Sequence, residues 1–264
     1  MNVLIVIPAR HASTRYPGKP LVPLRGATGV AKSLVRRSWE AACAVPDARV
    51  VVATDDARIE SHAKDFGAEV VMTSSACRNG TERCAEVLRI LGHHDLVVNL
   101  QGDAPLTPPW FVTDLVAALR AAPGMEVATP VLRSSGAHLA GLREDRRAGR
   151  VGGTTAVMAA DRRALYFSKE VIPFAAQDYP AEAATPVFHH VGVYAYRPAA
   201  LAAYARQAPG VLEGLEGLEQ LRFLEHGIPV LCVEVEARGR EFWEVNNPED
   251  VPRIEAMLAR MGQE

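Results

Sequence analysis

Short apolar segments alternate with helical patterns through the first half of this 264-residue chain. Such segments are typical of buried parallel strands, and their alternation with helices is typical of βαβ units. We therefore predict an α/β fold with a mostly parallel, Rossmann-like sheet that is flanked by helices. The predicted strands are residues 3–7, 49–53, 69–72 and 96–100, and the predicted helices are residues 30–44, 57–66, 82–91 and 109–121.

The second half of the chain has a weaker pattern, which predicts a smaller lobe within the same domain. We predict one domain over residues 1–264, with halves of about 1–130 and 131–264. A charged segment at 143–150 and a Pro- and Ala-rich connection at 172–187 interrupt the pattern. The last helix should start near Pro248, with Asn246 or Asn247 as its cap. Further strands are predicted at 127–132, 155–158, 163–168, 187–196 and 230–235, and helices at 198–206, 215–226 and 248–261.

The composition excludes several classes of protein. A net charge of −2 gives no general basic field, so we do not expect nucleic acid as a partner. The four cysteines form no Cys-x-x-Cys pair, which favours reduced thiols in a cytosol. The chain shows no secretion signal before its first apolar strand and no apolar run of about 20 residues. We therefore expect a soluble, cytoplasmic protein that does not enter a membrane.

Three cationic side chains follow the first predicted strand, which we expect Pro8 to end. Arg10, Arg15 and Lys19 could converge on a polyphosphate, because arginine offers paired donors and lysine a point charge. Ser13 and backbone amides would add neutral donors. The alternative is a solvent-exposed basic loop without a ligand. Neither a P-loop motif nor a Gly-x-Gly-x-x-Gly motif follows the strand, so the pattern favours nucleotidyl transfer over ATP hydrolysis or hydride transfer.

Polar residues also follow two further predicted strands, at Thr54-Asp55 and at Gln101-Gly102-Asp103. Ligands bind at the carboxyl ends of strands in open α/β sheets, so these segments and the cationic loop should form one crevice. The Asp103 carboxylate is the kind of hard oxygen ligand that Mg²⁺ prefers, although an aspartate in a turn is the alternative. Gln101 could contact a base or a sugar edge, or bond only within its loop.

The spacing of three further pairs of residues predicts where they lie. Gly80 and Thr81 start a predicted helix, where amides and a hydroxyl could bind an anion or a ribose, although a plain helix start is equally compatible. His190 and Tyr194 are an even number of residues apart on one predicted strand and should share a face. Glu213 and Glu216 are three apart near a helix start and could share a face. A core or interface tyrosine and solvent-exposed acids are the alternatives.

The cationic loop resembles the N-terminal signature of the CMP-Kdo synthetases, the 3-deoxy-manno-octulosonate cytidylyltransferases. In that signature, Pro-Ala-Arg-x-x-Ser-x-Arg-Leu-Pro-Gly-Lys-Pro-Leu, only Tyr16 of this chain differs. The resemblance spans nearly the whole chain. It continues in order through residues 53–55, 79–83, 99–103, 164–168, 190–194, 218–222 and 246–250.

The resemblance implies a Mg²⁺-dependent cytidylyltransferase that joins CTP to a 3-deoxy-2-ulosonic acid, Kdo or a close analogue, and gives a CMP-sugar and pyrophosphate. It implies that Arg10, Arg15, Lys19 and Asp103 act in catalysis, and that Asp103 and the residue at Asn246 bind the metal. The implied nucleotide site comprises Pro8, Ala9, Arg10, Ser13, Arg15, Lys19, Thr54, Asp55, Gly80, Thr81, Arg83 and Gln101. The implied sugar site comprises Lys169, His190, Tyr194, Glu213, Glu216 and Gln220. The resemblance also implies a homodimer formed through the second-half lobe.

Four residues depart from the family pattern. Asn246 replaces an aspartate that binds metal, and an amide oxygen can still coordinate Mg²⁺, although a helix cap is an equal alternative. Lys169 replaces an arginine and loses its paired donors. Ala104 replaces a glutamate and Thr155 a lysine. These departures leave two alternatives open beside the main hypothesis. One is a cytidylyltransferase for another acid, such as an amino-Kdo, a sialic-acid-like sugar or a phosphonate; the other is a CTP-binding protein without catalytic activity.

Overall fold

The apolar segments predicted as strands form β-strands in the computed structural model, which describes residues 2–12, 16–151, 153–240, 243–245 and 247–263. Ser13, Arg15 and Asn246, which were predicted to bind ligands, lie outside the described residues. The strands are β1 (Val3–Ala9), β2 (Pro23–Arg25), β3 (Ala31–Ser33), β4 (Ala48–Thr54), β5 (Glu69–Met72), β6 (Leu96–Leu100), β7 (Val127–Ser135), β8 (Thr154–Met158), β9 (Ala164–Ser168), β10 (Ala184–His190), β11 (Val193–Tyr196) and β12 (Val230–Glu234). The helices are α1 (Leu34–Cys43), α2 (Ala57–Asp65), α3 (Gly80–Leu91), α4 (Pro109–Ala121), α5 (Gly136–Arg147), α6 (Pro198–Arg206), α7 (Val211–Glu216), α8 (Leu221–Glu225) and α9 (Asp250–Arg260).

The chain divides into two compact units. Unit 1 contains Met1–Thr113 and Ala237–Glu264, and unit 2 contains Asp114–Glu236. The C-terminal helix α9 therefore belongs to unit 1, with the start of the chain. The predicted halves, 1–130 and 131–264, instead put this helix in the second half. Among the described residues, no helix combines the length and the apolar character needed to cross a membrane.

Unit 1 is built on parallel strands in the order β5, β4, β1, β6. Side chains of the central strand β1, from Leu4 to Ile7, have no solvent exposure. A strand that is covered on both faces needs a continuous apolar run, which is why the sequence pattern identified it. The predicted parallel sheet is confirmed in this unit.

Pro8 does not end the first strand, which continues to Ala9. Pairing of β1 with β6 ends at Val6 opposite Asn99, whereas Pro8 stays in register with Ala53 of β4. Proline is tolerated where a strand edge needs no N–H donor, and this position lies beyond the last β6 pair. The expectation that Pro8 stops the strand was wrong for this reason.

The helix predicted at 30–44 is shorter, because its first residues belong to a hairpin. Strand β3 pairs antiparallel with β2, from Pro23 opposite Ser33 to Arg25 opposite Ala31. The Ser33 hydroxyl then accepts a hydrogen bond from the N–H of Arg36 at 3.3 Å and caps α1. A serine cap of this kind fixes the helix start at Leu34.

Helix α9 packs on unit 1 through a buried apolar cluster. It starts at Asp250, two residues after the predicted start at Pro248. The Asp250 carboxylate accepts hydrogen bonds from the Trp243 indole at 2.9 Å and from the N–H of Asn247 at 2.7 Å, which holds the preceding turn outside the helix. The cluster comprises Leu24, Leu34, Leu106, Val245, Ile254, Met257 and Leu258.

Unit 2 contains a mostly antiparallel arrangement of strands in the order β11, β7, β10, β8, β9, with β12 parallel to β7. The charged segment at 143–150 was not expected to be regular, yet most of it lies in α5. Leu139 and Leu142 are buried on this helix, and Ser135 caps it by accepting from the N–H of His138 at 3.2 Å. Two apolar residues three apart suffice to anchor a helix whose other face is charged.

Two single elements predicted in unit 2 are each divided. The run 187–196 forms β10 and β11, separated by a tight turn in which the Val193 N–H donates to the Val191 carbonyl at 2.7 Å. The helix predicted at 215–226 forms α7 and α8, and Gly217 ends α7 with a φ of +62°. Glycine adopts this left-handed conformation without strain, so it is a common helix terminator.

Candidate active site

The carboxyl ends of β1, β4 and β6 lie at one edge of the unit 1 sheet. Ala9 is in register with Thr54, and Val6 with Asn99. Arg10, Asp55 and Gln101 directly follow the three strands. The structure thus brings three predicted segments to the same sheet edge, where open α/β sheets bind ligands.

Lys19, Asp103 and Val245 form a closed set of hydrogen bonds at this edge. The Lys19 ammonium donates to Asp103 Oδ2 at 2.7 Å and to the Val245 carbonyl at 2.8 Å. The Val245 N–H donates to the Asp103 carbonyl at 2.9 Å. Gly18, with a φ of +73°, turns the chain so that Lys19 starts a short 3₁₀ helix. Sequence reasoning selected Lys19 and Asp103 but missed Val245, because its contribution is a backbone carbonyl that no side-chain pattern reveals.

Arg10 is exposed, and its guanidinium lies 3.4 Å from the carbonyl of Arg78. This contact is long and lies at the surface. The guanidinium therefore faces solvent, from which a polyphosphate would approach. Ser13 and Arg15, from the same loop, lie outside the described residues.

Asp55 and Arg83, two predicted nucleotide contacts, form an ion pair with each other. Arg83 is almost fully buried on α3, and its guanidinium lies 3.4 Å from Asp55 Oδ2. It also donates to the hydroxyl of Thr73. The carbonyl of Thr54 accepts from both the N–H and the hydroxyl of Thr73, at 2.8 and 3.1 Å. These contacts fix the ends of β4 and β5. They give Thr54, Asp55 and Arg83 a structural role, and the nucleotide contacts of these residues stay predictions.

Helix α3 begins directly against strand β6. Asn79 caps the helix by accepting from the N–H of Glu82 at 2.9 Å. A Cβ atom at Gly80 would lie 2.7 Å from Asn99 Nδ2 and 3.3 Å from Gln101 Nε2, so a larger residue here would displace the Asn99 side chain. Asn99 is fully buried, and within the described ranges neither of its side-chain polar atoms has a hydrogen-bond partner. Sequence reasoning missed Asn99, although a polar residue within an apolar strand was the available signal.

In unit 2, His190 and Tyr194 lie on different strands, yet their rings are in contact with centroids 5.6 Å apart. The expectation of one shared strand was wrong, because the turn at Val191 divides it. The Tyr194 hydroxyl donates to Gln220 Oε1 at 3.0 Å, so the fold brings three of the predicted sugar contacts together.

His190 is held in its neutral form. Thr129 has one hydroxyl proton, which it donates to the Val193 carbonyl at 2.8 Å, so it accepts from His190 Nε2 at 2.9 Å. The ring also packs edge-on against Phe167, with centroids 4.9 Å apart. Burial among these groups, with a smaller effect from His189, lowers the pKa of His190 to about 3. His190 therefore presents an uncharged ring at neutral pH.

The two glutamates predicted to bind sugar are both engaged within unit 2. Glu213 accepts from Arg222 through both carboxylate oxygens, at 2.6 and 2.7 Å, and Arg222 has no solvent exposure. Glu216 accepts from the Ser168 hydroxyl at 2.6 Å and from the Lys169 N–H at 2.9 Å. These carboxylates therefore have structural partners, and their contacts with a sugar stay predictions.

A sequence model of the family described as cytidylyltransferase matches residues 4–231, which is most of the chain. This chain belongs to the cytidylyltransferase family. It is therefore an enzyme of the nucleotidyltransferase class, and the sheet edge in unit 1 is its candidate nucleotide site.

Individual relatives agree with this assignment. The chain is 45% identical over 265 residues to a 3-deoxy-manno-octulosonate cytidylyltransferase of Maricaulis maris (strain MCS10), covering 100% of this chain and 99% of the relative. It is 38% identical to an 8-amino-3,8-dideoxy-manno-octulosonate cytidylyltransferase of Shewanella sp. (strain W3-18-1), covering 98% and 99%. The solved structure of a CMP-2-keto-3-deoxy-manno-octonic acid synthetase in complex with CTP superposes with a TM-score of 0.82 at 32% identity, covering 99% of this chain and 100% of that one.

The oxygen atoms around Lys19 are of a kind that could hold a divalent cation. Asp103 Oδ2 and the Val245 carbonyl already coordinate one cation, the Lys19 ammonium. Both are hard oxygen donors of the kind that Mg²⁺ prefers. Among the described residues, no group of three or more His, Cys, Asp or Glu side chains could hold a metal.

Thr155, where the family pattern has a lysine, is buried and bonds within unit 2. Its hydroxyl donates to the Glu170 carbonyl at 2.6 Å and accepts from the Ile172 N–H at 3.2 Å. Ala104 is likewise fully buried, in a turn where its N–H donates to the Gln101 carbonyl at 3.2 Å. Both residues are therefore buried and hydrogen-bonded within their own segments.

Proposed function

We propose that this protein transfers the cytidylyl group of CTP to 3-deoxy-manno-octulosonate, giving the CMP-sugar and pyrophosphate in a reaction that requires Mg²⁺. The observation that carries the proposal is the 2.7 Å pairing of Lys19 with Asp103 at the sheet edge that Arg10 follows. A cation suited to phosphate and a carboxylate suited to a metal thus lie side by side. The full-length similarity to enzymes named for this reaction supports the choice of substrates.

In the proposed reaction, the anomeric hydroxyl of the sugar attacks the α-phosphorus of CTP. A bond forms between that oxygen and the α-phosphorus, the bond from the α-phosphorus to the bridging oxygen breaks, and the hydroxyl proton passes to solvent. Arg10, Arg15 and Lys19 hold the β- and γ-phosphates and neutralise the charge that develops on pyrophosphate. When bound by Asp103 and Asn246, Mg²⁺ supplies Lewis-acid stabilisation of the phosphate and lowers the pKa of the attacking hydroxyl.

Unit 2 supplies the proposed sugar contacts. Lys169 would pair with the sugar carboxylate as a point charge. His190, Tyr194 and Gln220 offer neutral polar groups, and Gln220 Nε2 is a buried donor without a hydrogen-bond partner among the described residues. A sugar hydroxyl could accept from such a donor, and the hydrogen bond would offset the cost of burying an unsatisfied N–H.

We further infer a cytoplasmic homodimer. Cys43, Cys77, Cys84 and Cys232 are all free thiols, which suits a reducing compartment. Among the described residues of unit 2, the most exposed large apolar side chains are those of Leu165, Phe174, Val211 and Leu215, with exposed fractions of 64%, 90%, 74% and 80%. Exposure of this kind favours a second copy as the covering partner.

Pyrophosphate release tests the proposed function. The purified protein would be assayed with CTP, Mg²⁺ and 3-deoxy-manno-octulosonate, with UTP, omission of sugar and EDTA as controls. We expect release only when CTP, sugar and metal are all present, and a loss of at least about 100-fold in kcat for Asp103→Asn. Full activity of Asp103→Asn would contradict the assigned role.

A second candidate acceptor is the 8-amino analogue, which the Shewanella relative is named for and which the lysine at position 169 makes worth testing. The same assay with this sugar decides between the two. A higher kcat/KM for the amino sugar would make that sugar the substrate. A higher kcat/KM for 3-deoxy-manno-octulosonate would exclude the amino sugar as the preferred substrate. Absence of turnover with every acid, combined with CTP binding, would identify a binding protein without catalytic activity.

A further inference from the structure

The Lys19 ammonium occupies the position of a cation between two oxygens. It lies 2.7 Å from Asp103 Oδ2 and 2.8 Å from the Val245 carbonyl, with the Lys19 and Asp103 side chains only 14% and 27% exposed. Lysine is expected to bind phosphate and aspartate is expected to bind metal in this family, yet here each satisfies the other. The two roles therefore compete for the same carboxylate oxygen.

The backbone around the Lys19 ammonium is held by the fold. The Val245 side chain is fully buried in the apolar cluster with Ile254 and Met257, and its N–H is bonded to the Asp103 carbonyl at 2.9 Å. The backbone of Lys19 is anchored as well, since its carbonyl accepts from the N–H of Val22 at 3.1 Å. The long, flexible four-carbon stem of Lys19 lets the ammonium move while its backbone stays in place.

Like-charge repulsion sets the Lys19 ammonium against a divalent cation at the Asp103 carboxylate. One carboxylate neutralises one lysine, and a divalent ion bound beside that lysine would face like-charge repulsion at a few ångströms. A nucleotide removes this conflict, because its phosphates offer Lys19 another anionic partner and offer the metal additional oxygens.

We propose that Lys19 is the resident counter-ion of Asp103 and is exchanged for the divalent metal when the nucleotide binds. The inference rests on the proposed function, since it needs a nucleotide site beside Lys19. It follows that the protein without nucleotide binds divalent metal weakly. It also follows that metal and CTP each increase the affinity of the other.

Binding of Mn²⁺, followed by electron paramagnetic resonance of the free ion, tests the exchange without any turnover. Without nucleotide, Lys19→Met should bind Mn²⁺ at least about tenfold more tightly than the wild type, because the competing cation is gone. Addition of CTP should tighten Mn²⁺ binding by about tenfold or more in the wild type and by much less in Lys19→Met. The double variant Lys19→Met, Asp103→Asn should lose the increase in Mn²⁺ affinity that Lys19→Met alone produces.

The chain provides a matched control in Lys32, which pairs with Glu40 at 2.8 Å with side chains 18% and 31% exposed. Lys32→Met removes an ion pair of similar length and burial, and should leave Mn²⁺ affinity unchanged. Lys19→Gln serves as a second variant if Lys19→Met has a perturbed circular dichroism spectrum. Equal Mn²⁺ affinity in the wild type and a folded Lys19 variant would overturn the exchange. So would an equal gain from Lys32→Met.

Calorimetric titration of CTP, in EDTA and again with Mg²⁺, separates the two hypotheses. Wild-type protein that binds no CTP under any condition would refute the proposed function, and with it the basis of the exchange. Wild-type protein that binds CTP, but binds Mn²⁺ equally well with and without it, would refute the exchange alone.

Discussion

At the residue scale, His190 shows how the environment of a side chain sets its chemistry. Sequence reasoning treated it as a sugar contact, and the fold surrounds it with Phe167, Tyr194 and the Thr129 hydroxyl. The Thr129 hydroxyl fixes the proton on Nε2. The pKa of about 3 follows mainly from burial, because a charged imidazolium loses its hydration there.

This pKa predicts how stability depends on pH. The ordinary pKa of histidine is 6.5, so between pH 6.5 and about 3 the unfolded chain binds a proton that folded His190 does not. The free energy of unfolding should therefore fall as the pH falls through this range, by about 1.4 kcal/mol per pH unit for this group. In urea denaturation, the loss of stability between pH 7 and pH 5 should be about 2 kcal/mol smaller in His190→Gln than in the wild type.

The exposed His93, whose side chain is 83% accessible, is the control for this measurement. His93→Gln should keep the pH dependence of the wild type. If His190→Gln keeps it as well, the histidine is not held neutral in the folded protein.

At the scale of elements, α7 and α8 depend on a buried ion pair. Gly217 ends α7, and Glu213 on α7 then accepts from Arg222 on α8. The Arg222 guanidinium also lies over the ring of Tyr204 on α6, 3.9 Å from its centroid. Arg222 is fully buried, so its charge depends on Glu213 for compensation.

Removal of the Glu213 charge should therefore destabilise the protein. We expect Glu213→Gln to reduce the free energy of unfolding by about 3 kcal/mol or more, measured by urea denaturation, because Arg222 is left buried without a counter-charge. Glu69→Gln is the control, since the pair of Glu69 with Arg49 is exposed and its loss should change stability by less than about 1 kcal/mol. A Glu213→Gln variant of unchanged stability, with a raised KM for sugar, would support the predicted sugar contact instead.

At the scale of the whole molecule, exposed apolar residues collect in unit 2. Leu165 lies on β9, which ends the strand order of that unit, and Val211 and Leu215 lie on α7. An edge strand and an apolar helix surface are features that soluble proteins usually cover. A second copy of the chain, as proposed above, would cover them.

The proposed dimer predicts a solution mass of two 28.5 kDa chains by light scattering after size-exclusion chromatography. Leu215→Glu should shift the protein to the mass of one chain, because a buried carboxylate at an apolar interface has no partner. Ile90→Glu, at a residue 45% exposed on α3 of unit 1, should remain dimeric. A wild-type mass of one chain would refute the dimer, and dissociation by Ile90→Glu alone would place the interface elsewhere.

The sequence by itself determined the strands and most helices of unit 1, because an apolar run such as Val3–Ala9 has no stable position except inside a sheet. It also identified the loop and strand ends at which ligand groups collect, since parallel strands bring their carboxyl ends to one edge. These features depend on local pattern and on a general rule of topology.

Only the tertiary structure decided the partners. Lys19 meets Asp103 and Val245, which are 84 and 226 residues away in the sequence, and no local pattern encodes such a contact. The division of 187–196 into two strands likewise follows from how both pair with β7. Contacts between distant residues depend on how the whole chain packs, so the polar groups that compete for one carboxylate become visible only in the folded protein.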